Sequence, residues 1–151
     1  MENLFGTYEC KIDAKGRLLL PALLKKQLAP FLADGFILKR SIFEQCLELY
    51  TMEEWRTVTD ELRQKSRFKR KNMTFFRRFT AGVKPIELDA SGRMLVAKDL
   101  VSFAEIKKDL VLTVTVGNII EIWDKAKYED VINDPDVDFG DLAEEVMGDL
   151  D

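Results

Sequence analysis

The sequence predicts an α+β fold, mainly β, in which two copies of one small module pack about a pseudo-twofold axis with short helices. Three observations carry this. Asp13-Ala14-Lys15-Gly16-Arg17 recurs, with the residues flanking it, as Asp89-Ala90-Ser91-Gly92-Arg93 at an offset of 76. Cys46-Leu47-Glu48-Leu49-Tyr50 recurs as Ile119-Ile120-Glu121-Ile122-Trp123 at an offset of 73, so both copies keep the same order of parts. Each copy, residues 7–54 or 83–126, is near the size at which a lone domain lacks sufficient core. A chain of 151 residues holds two that bury each other's apolar faces.

The elements follow in order. Tyr8–Ile12 alternates in character and reads as a strand, as does Val83–Leu88. Asp-x-x-Gly-Arg then turns the chain, because Asp accepts from backbone amides two or three residues on and Gly supplies a positive φ. Leu18–Leu20 and Met94–Val96 are short apolar strands leaving that turn. Pro21 suits the start of a helix running through Leu28, with Leu23, Leu24 and Leu28 on one face; Ala97 stands at Pro21's place before a helix over Lys98–Ile106. Phe36–Lys39 with Leu47–Tyr50, and Leu110–Val116 with Ile119–Trp123, read as hairpins, the second joined by the two-residue turn signal Gly117-Asn118. A helical stretch follows each, Glu53–Lys65 or Lys125–Ile132. Residues 55–82 form a basic linker helix bridging the modules, anchored by Phe68, Phe75, Phe76 and Phe79. Residues 127–151 form an acidic helical tail, in which Phe139, Leu142, Ala143 and Val146 make Phe139–Met147 amphipathic.

Composition narrows the function. The chain has no histidine, which removes His-based triads, His-ligated metals and imidazole acid–base chemistry. Cys10 and Cys46 belong to no Cys-x-x-Cys pair and fit two partly buried thiols in a reducing cytosol. Neither a nucleophile motif nor a glycine-rich phosphate loop is present, so an enzyme, a cofactor and a small-molecule substrate are not expected. The acid-rich tail lacks the ligand spacing of a calcium loop, so no metal is expected. No apolar run approaches the roughly 20 residues of a membrane span, and a cytoplasmic protein is expected.

Charge is unevenly placed. The net charge of −4 includes ten acids and no base in residues 129–151, which leaves 17 acids against 23 bases in residues 1–128. Residues 63–78 carry eight Lys or Arg and no acid. The body of the chain is therefore suited to phosphates although the total is acidic. The candidate binding groups are Arg17 and Arg93, each projecting from a glycine turn with a planar fork that fits a phosphate or guanine O6/N7. Lys15 adds a phosphate contact, whereas Ser91 donates only a neutral hydrogen bond, so the first loop is expected to bind more strongly. Asp13, Gly16, Asp89 and Gly92 are read as shaping the turns.

The two Asp-x-x-Gly-Arg repeats, Leu47-Glu48-Leu49-Tyr50 before Glu53-Glu54-Trp55, Arg77-Arg78-Phe79-Thr80-Ala81-Gly82 and the tail Leu142-Ala143-Glu144-Glu145-Val146 together resemble the MraZ family over essentially the full chain. The resemblance implies two SpoVT-AbrB-type, swapped-hairpin modules packed as a β-barrel-like core, and a ring-shaped homo-oligomer. It further implies a nucleoid-associated transcriptional regulator that binds double-stranded promoter DNA at direct repeats in the division and cell-wall gene cluster. The family motif maps onto Asp13 and Arg17 and onto Asp89 and Arg93; Thr51 replaces a proline common in the family, and the stretch around Lys98 is less proline-rich than usual. A ring would present the same turn several times along one duplex, raising apparent affinity through effective concentration. The rival is an interaction protein, antitoxin-like, that acts through Glu129–Asp151 on a basic partner. The tail could also compete with DNA for the basic surface or bind a neighbouring subunit.

Overall fold

The structure is a computed structural model and describes residues 3–148. The first repeat contributes β1 (Thr7–Lys11), β2 (Arg17–Leu19), α1 (Ala22–Leu28), β3 (Phe36–Arg40) and β4 (Leu47–Thr51). Then come α2 (Met52–Arg63) and α3 (Arg70–Thr80). The second repeat gives β5 (Lys84–Ile86), β6 (Arg93–Leu95), α4 (Lys98–Phe103), β7 (Asp109–Val114) and β8 (Ile120–Asp124), followed by α5 (Lys125–Ile132) and α6 (Phe139–Gly148).

The repeats exchange strands. One six-stranded antiparallel sheet runs β1-β7-β8-β4-β3-β5, so the first strand of each repeat pairs with the third strand of the other. The pseudo-twofold passes between β4 and β8, where Glu48 lies opposite Glu121. It passes again between β2 and β6, which pair only with each other as a two-stranded ribbon.

Period-2 alternation divides the sheet into two faces. Leu38, Leu47, Leu49, Leu110, Leu112, Ile120 and Ile122 point inward, onto Leu18 and Met94 of the ribbon and Leu24, Leu28 and Leu100 of α1 and α4, in a single buried cluster. The opposite face carries Cys46, Val111 and Trp123 under Tyr128 of α5. Beside them Trp55 of α2 stacks on Phe79 of α3 at 5.8 Å and meets Tyr50 of β4 at 5.3 Å. Lys39 is fully enclosed there, its ammonium 3.5 Å from Glu48 and 4.3 Å above the Phe79 ring. Burial pushes its pKa down, with Glu48 opposing the shift. Thr51 has a local role of its own: its Oγ1 accepts from the Glu54 amide at 3.2 Å and caps α2.

Several expectations are corrected. The core is no closed barrel: the sheet ends on β1 and β5, and the Asp-x-x-Gly-Arg turns peel β2 and β6 away into their own ribbon, which meets the chain just past β1 at the Ile12–Leu18 bridge. Leu23 is 68% exposed, because Leu24 and Leu28 lie one above the other on the inward face and Leu23 is a helical step off it. Residues 55–82 hold two helices rather than one, with Phe68 in the bend between them and 99% exposed. Phe79 alone of the four linker phenylalanines is buried. The β7–β8 connection is closed by the Thr115 amide on the Ile119 carbonyl, so Val116 joins Gly117 and Asn118 in the turn. Both Gly117 and Asn118 have positive φ.

Candidate nucleic-acid interface

Each Asp-x-x-Gly-Arg segment is a tight turn held by its aspartate. In the first, the Gly16 amide donates to the Asp13 carbonyl at 3.0 Å and the Asp13 amide to the Arg17 carbonyl at 2.8 Å. Asp13 Oδ1 accepts from the Lys15 and Arg17 amides, both at 2.9 Å. The second repeats this pattern: Asp89 Oδ1 accepts from the Ser91 amide, the Ser91 hydroxyl and the Arg93 amide, all at 2.9 Å. In each turn one aspartate oxygen thus gathers the amides two and four residues on. The Arg17 amide is the largest influence holding the Asp13 carboxyl below the usual carboxylate range, and the Arg93 amide plays that part for Asp89.

Because both folded-state pKa values lie low, the order that these carboxylates give the loops is complete above the unfolded value and is lost as pH falls through the folded one. Carbon-detected NMR titration should give Asp13 and Asp89 midpoints below the reference of about 3.9. Midpoints at the reference would mean that the amide bonds do not hold the loops in solution.

The two turns stand at opposite ends of one ribbon. In its register Arg17 faces Leu95 and Leu19 faces Arg93. Leu18 and Met94 are each 1% exposed and point into the core, so the alternate positions Arg17, Leu19, Arg93 and Leu95 share the outward face. The result is a small exposed plate with two arginines on one diagonal and two leucines on the other. Lys15 and Ser91 are exposed at the turn tips. The loops are stitched across the twofold: the Leu20 amide donates to the Gly92 carbonyl at 3.0 Å, and the Val96 amide to the Gly16 carbonyl at 2.7 Å.

The repeats are not equivalent in detail. Arg17 Nε donates to Asp13 Oδ2 at 2.9 Å, which ties down one edge of a guanidinium on a half-exposed side chain. The Arg93 guanidinium makes no ion pair within 4 Å among the described residues. Lys25 of α1 reaches over the second loop and donates to the Ser91 carbonyl at 3.2 Å. It places an ammonium beside Ser91, the counterpart of Lys15 in the first loop.

Sequence reasoning missed Lys25, which lies 66 residues from its partner and carries no local signal. Leu19 and Leu95 are also surface residues, 50% and 59% exposed, although Leu18–Leu20 and Met94–Val96 each read as one apolar run in the sequence. The period of two beginning at Arg17 is the signal that separates them. The basic run 63–78 lies elsewhere: α3 packs through Phe79 on the sheet face opposite the ribbon core. No helix among the described residues is long and apolar enough to cross a membrane.

Fold and site together define a two-module protein that offers paired arginines on an exposed ribbon. The chain matches the family model described as "MraZ protein, putative antitoxin-like" in two stretches, residues 4–78 and 79–148. It is 59% identical to a protein of Christiangramia forsetii named Transcriptional regulator MraZ, over 100% of this chain and 97% of the relative. A protein of the same name from Flavobacterium psychrophilum is 57% identical over 99% of this chain and 95% of its own length. Another from Thermoanaerobacter pseudethanolicus is 36% identical over 93% and 94%. The chain belongs to the MraZ family.

Proposed function

We propose that this protein is a cytoplasmic, nucleoid-associated transcriptional regulator that binds double-stranded promoter DNA through the β2–β6 ribbon. The observation that carries the reading is the shared outward face of Arg17 and Arg93. A two-stranded antiparallel ribbon fits a major groove, where an arginine fork can pair with guanine and leucine side chains can meet thymine methyl groups. Lys15 and Lys25 then contact phosphate, Ser91 adds a neutral hydrogen bond, and Asp13, Gly16, Asp89 and Gly92 hold the loops. The strand exchange supports reading residues 7–54 and 83–126 as swapped-hairpin modules of the SpoVT-AbrB type, joined by the basic linker 55–82 and followed by the acidic tail 127–151.

One ribbon makes too few phosphate contacts for useful affinity at cellular salt, so a ring-shaped homo-oligomer gripping direct repeats completes the proposal. The names of the relatives support regulation, and the family resemblance points to the division and cell-wall gene cluster. Purified protein titrated against its own upstream duplex should bind tightly at about 50 mM salt and weaken steeply towards about 200 mM. A duplex with scrambled repeats should bind far more weakly. Equal binding to both duplexes would reject sequence recognition, and no binding at low salt would reject the ribbon as a DNA surface. The exposed acidic tail favours a second reading, an interaction protein of antitoxin type; copurification of a basic protein that is lost on tail deletion would support it.

A further inference from the structure

A cleft of about 860 Å³ opens on the sheet face away from the ribbon, between α3, α5 and the β3–β4 loop. Its walls carry apolar groups in contact with solvent: Phe43 is 88% exposed, Ile42 52%, Val131 44% and Phe75 40%. Four cations line it, against two carboxylates, Glu44 and Asp130, so positive charge is in excess. Lys39 and Lys127 are already occupied, by Glu48 at 3.5 Å and Glu105 at 2.6 Å. Arg40 and Arg78 form no ion pair within 4 Å among the described residues. Arg40 Nε is moreover buried without a hydrogen-bond partner, its guanidinium held over the Phe103 ring at 5.0 Å. A buried donor left open costs free energy that a carboxylate would recover. The cleft therefore suits an occupant that is apolar on one side and acidic on the other.

Helix α6 has that character. Phe139, Leu142, Ala143 and Val146 fall at i, i+3, i+4 and i+7, while Asp141, Glu144 and Glu145 lie off that stripe, as does Met147. Its apolar stripe is uncovered in the single chain, with Phe139 80% exposed, Val146 56% and Leu142 44%. A ten-residue helix with an exposed apolar stripe has little reason to persist alone in water.

We infer that α6 of a second copy of this chain seats in the cleft, its apolar stripe against Ile42, Phe75 and Val131 and its glutamates on Arg40 and Arg78. This rests on the assembly reading above and names its joint. The contact is heterologous, helix into cleft, and such contacts build closed rings when the rotation between copies closes. The joint lies across the sheet from the ribbon, so it leaves Arg17 and Arg93 free.

Sedimentation velocity on the full chain and two surface variants tests it. Wild type should sediment as an assembly of several chains. Leu142→Asp with Val146→Asp (helix broken, cleft intact) and Ile42→Asp with Arg78→Glu (cleft broken, helix intact) should each fall to a single chain. Mixed together, they should give a dimer and nothing larger, since only one joint can then form. Should either pair fail to fold by circular dichroism, Glu144→Arg with Glu145→Arg replaces it. That change touches exposed positions only, and adding Arg78→Glu to the same chain should restore the large species. Wild type as a single chain would overturn both the assembly reading and its joint. If wild type assembles and the helix variants keep its mass, the joint alone is overturned. A single-chain wild type that melts lower on helix substitution would place α6 in its own cleft, which also overturns the proposal.

Discussion

Replacing Arg17 and Arg93 together by alanine is expected to abolish duplex binding near 0.15 M salt, roughly the physiological value, while fold and assembly mass stay unchanged. Both guanidiniums are on the exposed face of the ribbon, and neither is part of the core. Among the described residues Arg17 has one ionic partner, Asp13, through an ion pair that is about half exposed on both sides. Such pairs contribute little to stability. Asp13 keeps its bonds to the Lys15 and Arg17 amides when the side chain is removed, so the loop survives. Each single substitution should weaken binding about 10- to 100-fold, the loss typical of one good arginine contact to a base pair. Arg17→Lys distinguishes the kinds of contact. If the fork reads a guanine, lysine restores little; if it only neutralises a phosphate, lysine restores most. Fluorescence anisotropy on the promoter duplex, with thermal melts in parallel, checks all four variants. Binding of the double variant at wild-type strength would remove the ribbon from consideration.

Much of this site was legible in the sequence because it is local. An Asp that accepts from amides within four residues, and a Gly at positive φ, are properties of a five-residue stretch, and their recurrence marks both turns. The hairpins of each repeat were readable from paired short apolar runs, the second with Gly117-Asn118 at its turn. The quantities that were not legible are set by long-range pairing. Nothing near Asp13 or Asp89 tells that β2 and β6 pair with each other, which puts both arginines on one face. A barrel and an open sheet with a separate ribbon need the same strands in the same order, and differ only in whether the edge strands meet. Leu23 and Phe68 were misjudged for a related reason. Apolar character gave them a core role, while helical phase and the bend between α2 and α3 leave them in solvent.

The two turn glycines carry the same sequence signal, yet alanine should treat them very differently. Gly16 and Gly92 have φ of +84° and +86°, so either substitution pays the left-handed penalty of about 1–2 kcal/mol. A Cβ on Gly92 would come 2.8 Å from Cδ of Lys25, part of the flexible arm of a half-buried side chain that can shift where backbone cannot. A Cβ on Gly16 would come 2.6 Å from the Val96 carbonyl oxygen, which is backbone at the end of the opposing ribbon strand. That oxygen cannot move without straining the 2.7 Å bond from the Val96 amide to the Gly16 carbonyl, one of the two that stitch the loops across the twofold. Losing that bond adds on the order of another 1–3 kcal/mol. Gly16→Ala should therefore cost about 3 kcal/mol or more and lower the melting temperature by roughly 10 °C, against only a few degrees for Gly92→Ala. Gly16→Ala should also displace Arg17, so its duplex affinity should fall by more than the fraction unfolded explains. Gly92→Ala should free the Lys25 ammonium from the Ser91 carbonyl and leave Arg93 in place. Equal melting temperatures for the two variants would mean that the loop-to-strand stitch at Gly16 does not hold in solution, and that the ribbon is joined less tightly across the twofold than the 2.7 Å bond requires.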